Sequence, residues 1–259
     1  MHKLTKAHRE RYSRQIAANG IGEAGQIKIM KSKILLIGLG GLGSPSAYYL
    51  TGAGVGTIGI IDNDTVDISN LHRQIIHFSN DRDIPKVESA AQKMKALNPE
   101  VKINSYHQNI EPDNIIDIIS EYDFVISATD TFRSKFLIND ACFFAKKPLS
   151  HAGITQWHGQ AMTIIPGETA CFRCLFNEAP VEDEHADKKD IGVFGPAAGI
   201  LGLIQSTEAI KYITGNTKDL LTDQILSLNI KTMENQKIKM KPQKNCPLCG
   251  ETPSITQLV

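Results

Sequence analysis

The chain of 259 residues is defined first by what it lacks. It has no net charge, with 28 Lys plus Arg against 28 Asp plus Glu. That balance argues against a broad nucleic-acid surface and against a polybasic membrane anchor. Cysteine is sparse, five in all, too few for a disulfide scaffold in so long a chain. The two Cys-x-x-Cys pairs therefore read as metal ligands in a reducing compartment. Met1 to Gln15 is dense in charge and holds no apolar stretch of the kind a secretory signal carries. Nor is there an unbroken apolar run. No charged residue lies between Lys33 and Asp62, yet eight glycines and Pro45 divide that stretch, whereas a spanning helix needs about 20 mostly apolar residues. These absences predict a cytosolic protein without a membrane span, and the 41% hydrophobic composition is that of an ordinary globule.

No internal repeat is visible, and the first half alternates strand-like and helix-like segments. Lys33 to Ile37 is a short apolar run suited to a strand buried on both faces. A glycine-rich turn follows, then a helix from about Ser44 to Gly52 and a second strand, Thr57 to Ile61. Pro85 opens a helix carrying Val87, Ala90, Ala91, Met94 and Leu97 at 3.6-residue spacing. Val101 and Ile103 begin a strand, Ile115 to Ile119 a short helix, Phe124 to Ser127 a buried strand and Phe132 to Ala145 a helix. Strand, crossover helix, strand predicts a parallel sheet with ligands at the strands' carboxyl ends. Beyond it, Leu149 to Ala152 and Gln160 to Ile165 read as strands, Phe176 to Lys189 as a polar mobile loop, and Ala197 to Ile213 as an apolar helix. In that helix Gly199 and Gly202 suggest close backbone packing. Ile225 to Ile230 and Lys237 to Met240 alternate like exposed antiparallel strands. The expected fold is α/β, a Rossmann-like mostly parallel sheet with a mixed, partly antiparallel C-terminal part. It forms one domain over 1–259, with a nucleotide-binding half at about 30–150 and a second part at about 151–250.

Three groups of residues carry chemistry. Gly38-Leu39-Gly40-Gly41-Leu42-Gly43 satisfies GxGxxG between a strand and a helix. There glycine lets backbone N–H groups approach a phosphate that the helix N-terminus also attracts. Asp62 closes the next strand, where a carboxylate can bond a ribose hydroxyl. NAD, FAD and ATP sites share these parts. The second group is Ser69-Asn70-Leu71-His72-Arg73-Gln74 with Lys86 and Asp130. Arg73 and Lys86 taken alone read as surface charges, and Asp130 as a helix cap. At the crevice of a parallel sheet they read differently. Hydride transfer needs neither two cations nor a free carboxylate near the phosphates, whereas cleaving a triphosphate needs both, the carboxylate holding Mg²⁺. The third group is Cys171, Cys174, Cys246 and Cys249, four thiolates at zinc spacing, which predicts a structural Zn²⁺ site. Cys142 reads as a buried small hydrophobe.

The ordered set Arg11-Tyr-Ser-Arg14-Gln15, Gly38–Gly43, Asp62, Ser69–Gln74, Lys86, Ser127-Ala-Thr-Asp130 and the paired Cys-x-x-Cys resembles the ThiF/MoeB/HesA adenylyltransferases, bacterial relatives of ubiquitin-activating enzymes. The resemblance runs from about residue 9 to 250. It implies ATP-dependent adenylation of the C-terminal Gly-Gly carboxylate of a small ubiquitin-like sulfur-carrier protein, releasing pyrophosphate ahead of thiocarboxylate formation. By that resemblance Gly41 and Asp62 hold the adenosine, and Asn70, Arg73 and Lys86 neutralise the phosphates. Asp130 holds Mg²⁺, and Arg14 reaches the phosphates from the second protomer of a homodimer. Gly38, Gly40, Gly43, Ser69, Leu71, His72 and Thr131 complete the nucleotide site, and the four cysteines hold zinc.

One departure stands out. Some relatives carry a cysteine before the Gly-Val-x-x-Pro segment that joins covalently to the carrier, and Lys188 stands there in this chain. A lysine cannot form that acyl disulfide, and the chain ends at Val259. The expectation is therefore adenylation alone, with sulfur delivered by a separate protein. Leu203 and Ile204 are candidates for lining a carrier groove. The competing readings are adenylation of another carboxylate (a peptide or a modified tRNA), an NAD-dependent dehydrogenase and a non-catalytic nucleotide-binding scaffold. The dehydrogenase leaves Arg73, Lys86, Asp130 and the cysteines unexplained.

Overall fold

The structure, a computed structural model, describes residues 3–178 and 192–258. Eight strands form one sheet in the order β3-β2-β1-β4-β5-β6-β7-β8. They are β1 Lys33–Ile37, β2 Thr57–Ile61, β3 Lys102–Tyr106, β4 Phe124–Ser127, β5 Leu149–Thr155, β6 His158–Ile164, β7 Gln224–Asn229 and β8 Glu234–Lys239. The first five pair in parallel and the last three join antiparallel. The helices are α1 Lys6–Arg11, α2 Ser13–Ile16, α3 Gly22–Lys31, α4 Gly43–Ala53, α5 Lys86–Leu97, α6 Ile115–Ser120, α7 Phe132–Ala145, α8 Phe172–Leu175 and α9 Gly195–Thr214.

The central strands have apolar side chains on both faces because both faces are covered. Ile34 and Leu36 of β1 join a core with Ile29 of α3, Leu50 of α4, Met94 of α5 and Leu201 of α9. Leu35 and Ile37 face the other way, onto Ile115 and Ile119 of α6, Phe136 of α7 and Cys246. No helix among the described residues is long and apolar enough to cross a membrane.

The strand order reverses between β1 and β4, since β2 and β3 lie to one side and β5 to the other. Ile37 pairs with Ile61 and with Ser127, so three strands finish level there. Connections leaving such a point diverge and open a crevice. This is the feature that positions the site.

Element existence follows the sequence reading closely, and the differences have physical causes. α1, α2 and α3 are not apparent in the sequence because the segment is charged, and their main anchors are scattered. Tyr12 is buried and accepts a hydrogen bond of 2.9 Å from Asn98 Nδ2. β7 is half-buried rather than exposed, being paired on both edges, whereas β8 is exposed throughout. Gly202 does approach a backbone: a Cβ there would stand 2.1 Å from the Leu42 carbonyl, but one at Gly199 would meet nothing within 4 Å. Cys142 is buried, as expected, and burial pushes its thiol up. Of the expected loop at Phe176 to Lys189, residues 179–189, Lys188 included, lie outside the described residues.

Candidate active site

The crevice at the reversal point is a cleft of about 480 Å³. Its walls bring together Gly38, Gly40, Gly41, Asp62, Asn70, Arg73, Lys86, Asp130 and Thr131, all expected from the sequence. The turn after β1 can form only with glycine at two places. Gly38 has φ +96°, and a Cβ on it would lie 2.7 Å from the Ala128 carbonyl. A Cβ on Gly43 would lie 2.0 Å from the Gly38 carbonyl, so the loop folds back on its own backbone before α4 starts.

Asp62 ties that loop to the end of β2. Leu39 N–H donates to its Oδ2 at 2.7 Å, and Asp64 N–H donates to its Oδ1 at 2.9 Å. Burial raises the Asp62 carboxyl above its usual range, with Lys86 and these two bonds opposing the rise. The loop is also propped from below by His77, which is 3% exposed. Its Nε2 lies 3.1 Å from the Leu39 carbonyl and its Nδ1 lies 2.8 Å from Ser89 Oγ. Burial lowers the ring to about 4, so at neutral pH it is the uncharged tautomer with Nε2–H donating to Leu39.

The two cations are held differently. Arg73 donates to Asn70 Oδ1 at 2.7 Å and to His72 Nε2 at 2.8 Å. Both acceptors are uncharged, so its positive charge is left for a ligand. Lys86, with a side chain 5% exposed, donates to Asp64 Oδ2 at 2.7 Å. Asp64 also lines the cleft, and the sequence reading missed it although it stands two residues after Asp62. Asp130 is exposed and makes no ion pair among the described residues, which leaves its carboxylate available to a cation. Thr131 caps α7, accepting from Ser134 N–H at 3.1 Å. Two buried polar atoms in the lining, Gln74 Oε1 and Thr129 Oγ1, have no partner. A buried acceptor or hydroxyl without a partner is costly, and a polar ligand filling the cleft would supply one.

Not every expected residue lines the cleft. Gly43 is buried under the loop, and Ser69, Leu71 and His72, neighbours of Asn70 and Arg73 in the chain, do not line the cleft. Their local geometry places Asn70 and Arg73, as the hydrogen bond from Arg73 to His72 shows. Arg14 lies exposed on α2, outside this cleft. Leu203 lines a separate apolar hollow of about 610 Å³ with Tyr48, Tyr49 and Ile210, while Ile204 packs on the core. Asn63, Gln108 and Asn109 also line the cleft and went unread. They follow the carboxyl ends of β2 and β3, a position that could have flagged them.

On the face of the sheet covered by α6 and α7, Cys171, Cys174, Cys246 and Cys249 bring their sulfurs within 4.8 Å of one another. Neighbouring Sγ atoms lie 3.4, 3.6 and 3.9 Å apart. A tetrahedral ion with bonds of ~2.3 Å needs sulfurs ~3.8 Å apart, so the donor set fits zinc. Hydrogen bonds with Cys171 and Cys249 pull the Cys174 thiol down, and hydrogen bonds with Cys174 and Cys249 hold Cys171 far above the ordinary range.

Comparisons with known proteins identify relatives along nearly the whole chain. The ThiF family model matches residues 12–248. The adenylyltransferase and sulfurtransferase MOCS3 of Dictyostelium discoideum is 37% identical, over 100% of this chain and 61% of its own. The SAMP-activating enzyme E1 of Haloferax volcanii is 36% identical, over 93% of this chain and 89% of its own. The chain thus spans about three-fifths of the MOCS3 relatives it matches, 59% to 61% in the first three. The crystal structure of E. coli MccB superposes with a TM-score of 0.82 at 23% identity, covering 96% of this chain and 75% of that one, and supports the fold.

Proposed function

This chain belongs to the ThiF family, and from that premise we propose that it uses ATP and Mg²⁺ to adenylate the C-terminal Gly-Gly carboxylate of a small ubiquitin-like sulfur-carrier protein. The observation that carries the proposal is the meeting of Arg73, Lys86 and Asp130 in one cleft with the glycine loop and Asp62. A carboxylate and a triphosphate repel each other, and a site that joins them must first cancel that charge. Arg73 and Lys86 supply positive charge to the phosphates, and Asn70 and Thr129 hydrogen-bond to them. Asp62 accepts from the ribose through lone pairs its two backbone bonds leave free. Mg²⁺ held at Asp130 would offset the charge that builds on pyrophosphate as it leaves. One oxygen of the carrier's carboxylate bonds to the α-phosphorus, the bond to the bridging oxygen breaks, and the products are the acyl-adenylate and pyrophosphate.

Arg14 serves this reaction from a second copy of the chain. Its exposure, and the hollow beside Gln15 in which Tyr49 stays 62% exposed, support a homodimer. Zinc at the four cysteines is structural: with four protein ligands it has no open position, so it would fasten the segment 246–249 to α8 and take no part in the chemistry.

The deciding experiment is exchange of labelled pyrophosphate into ATP. It should require a purified ubiquitin-like protein ending in Gly-Gly and should cease when that protein's last glycine is amidated. Binding of NADH with no response to ATP would restore the dehydrogenase reading, and exchange driven equally by an unrelated peptide would move the substrate to the peptide class. Lys188→Ala should leave exchange intact.

A further inference from the structure

A second cavity of about 440 Å³ adjoins the nucleotide cleft and shares Leu42, Thr129, Asp130 and Ile154 with it. Much of its wall is apolar, including Phe132, Met162, Phe172 and Phe176. Two buried polar side chains interrupt that wall. Lys135, on α7, is 8% exposed; its ammonium donates to the Ala152 carbonyl, and among the described residues no carboxylate lies within ion-pair distance of it. His151, the residue before Ala152 on β5, is 3% exposed, and neither ring nitrogen has a partner. Burial lowers Lys135 to about 8, which leaves it cationic at neutral pH. Among the described residues the only carboxylate that offsets its charge is Asp130, which lines the same cavity and stands beyond ion-pair distance. A buried ammonium so weakly compensated, beside an imidazole without a partner, is an expensive arrangement for a core to keep. An anion entering the cavity would recover part of that cost.

We infer that Lys135 and His151 receive the free carboxylate of the acceptor, holding it at the Asp130 end of the nucleotide cleft. The inference rests on the reading of the chain as a carboxylate-activating enzyme and names the residues that would select a carboxylate. A phosphate of the nucleotide is the other anion to consider. Arg73 and Lys86 already serve that ligand in the first cleft, and walls of phenylalanine and methionine suit a narrow peptide rather than a triphosphate. Lys135 supplies the charge and one or two N–H donors, and His151 supplies one more through whichever nitrogen carries the proton. An amide or ester end has no negative charge to offer and is turned away, so the pair works as a specificity device.

The test crosses a protein variant with a ligand variant. Two dye-labelled decapeptides of one sequence ending in Gly-Gly, one a free acid and one a C-terminal amide, are titrated into the full chain. Mg²⁺ and α,β-methylene-ATP, which cannot release pyrophosphate, are present at saturation. The unaltered protein should prefer the acid by about tenfold, the size of one charge-assisted contact. Lys135→Met should bind both peptides equally, with the amide affinity and nucleotide affinity unchanged, and Lys135→Arg should restore the preference. His151→Phe should reduce it by roughly threefold, the smaller loss expected for one neutral donor. An acid preference that survives in Lys135→Met, or its absence from the unaltered protein, would overturn the inference. Carrier-dependent pyrophosphate exchange measured on the same preparation separates the two readings. Exchange with no role for Lys135 leaves the function standing, whereas no exchange removes the function itself.

Discussion

The cleft at the strand reversal and the cysteine cluster each gather functional groups from distant parts of the chain, but they do so by different means. At the cleft, β1, β2 and β4 finish level, and backbone topology alone delivers the glycine loop, Asp62 and Asp130 to one crevice. Its charges are partly satisfied within the protein, since Lys86 has Asp64 and Arg73 has two neutral acceptors. In the cysteine cluster, four thiols from segments some 75 residues apart are held close, with one another and two backbone N–H groups as partners. The cleft is thus held in shape by the protein's own contacts and suits a transient ligand. The cysteine cluster is a set of donors that stays poorly satisfied until an ion holds it. One region should therefore govern turnover and the other stability, and each can be disturbed without the other.

The largest expected effect tests the cysteine side of that division. Cys246→Ser, at a fully buried position, should drop the metal content from one zinc per chain to near none. It should lower the free energy of unfolding by more than about 5 kcal/mol, a part of the roughly 10–16 kcal/mol that structural zinc contributes to small peptides. Nucleotide affinity, measured below the melting point, should stay within about twofold because no cysteine lines the cleft. Loss of nucleotide binding in step with zinc would break the division. Its counterpart is Asp130→Ala. Removing the proposed metal carboxylate should cut pyrophosphate exchange by about a thousandfold, near 4 kcal/mol of transition-state stabilisation. The melting temperature should hardly move, since Asp130 is exposed and makes no ion pair among the described residues.

His77 sharpens the comparison by pH. It props the glycine loop as a neutral ring, and burial lowers its folded value to about 4 against an ordinary 6.5. Above pH 6.5 the ring is neutral folded and unfolded, and its contribution is constant. Between about 6.5 and 4 the unfolded chain binds a proton that the folded chain refuses. Stability should then fall with one extra proton's slope, about 3 kcal/mol in total. Chemical denaturation of the zinc-loaded protein across this range checks it. His77→Asn should lose that slope while keeping whatever acid sensitivity the thiols impose, and an unchanged slope would acquit the histidine.

The same division explains what the sequence could disclose. Strand and helix positions in the parallel half are readable because buried strands are short apolar runs and the helices keep their 3.6-residue period. Gly38 to Gly43, Asp62, Arg73, Lys86 and Asp130 are legible because each sits at a strand end or helix start, which topology turns into a site. The cysteines are legible because thiols are few. Asp64, Lys135 and His151 were not, for a common reason: their meaning lies in what they touch or fail to touch. Asp64 looks like a loop acid until Lys86 is seen on it, and Lys135 looks like a helix surface charge until the helix is seen buried around it. α1 and α2 were hidden likewise, because their anchorage is tertiary, through Tyr12 and Asn98.

The smallest effect bears on how an empty charged cleft keeps its shape. Asp64 is 60% exposed while its partner Lys86 is 5% exposed, so their ion pair adds little to stability, within about 1 kcal/mol. Its consequence is instead for the ligand. The Asp64 carboxylate takes one donor of the ammonium and places a negative charge beside Asp62, whose carboxyl it helps to raise. Asp64→Asn should remove that competition with the shape preserved. The expected result is an ATP dissociation constant lower by roughly two- to threefold at low salt, with the gain shrinking as salt screens the charges. Should affinity instead fall by a similar factor, Asp64 would be the residue that aims Lys86 rather than the one that occupies it. The charge economy of the cleft would then resemble that of the cysteine cluster, where groups are held in place chiefly by one another.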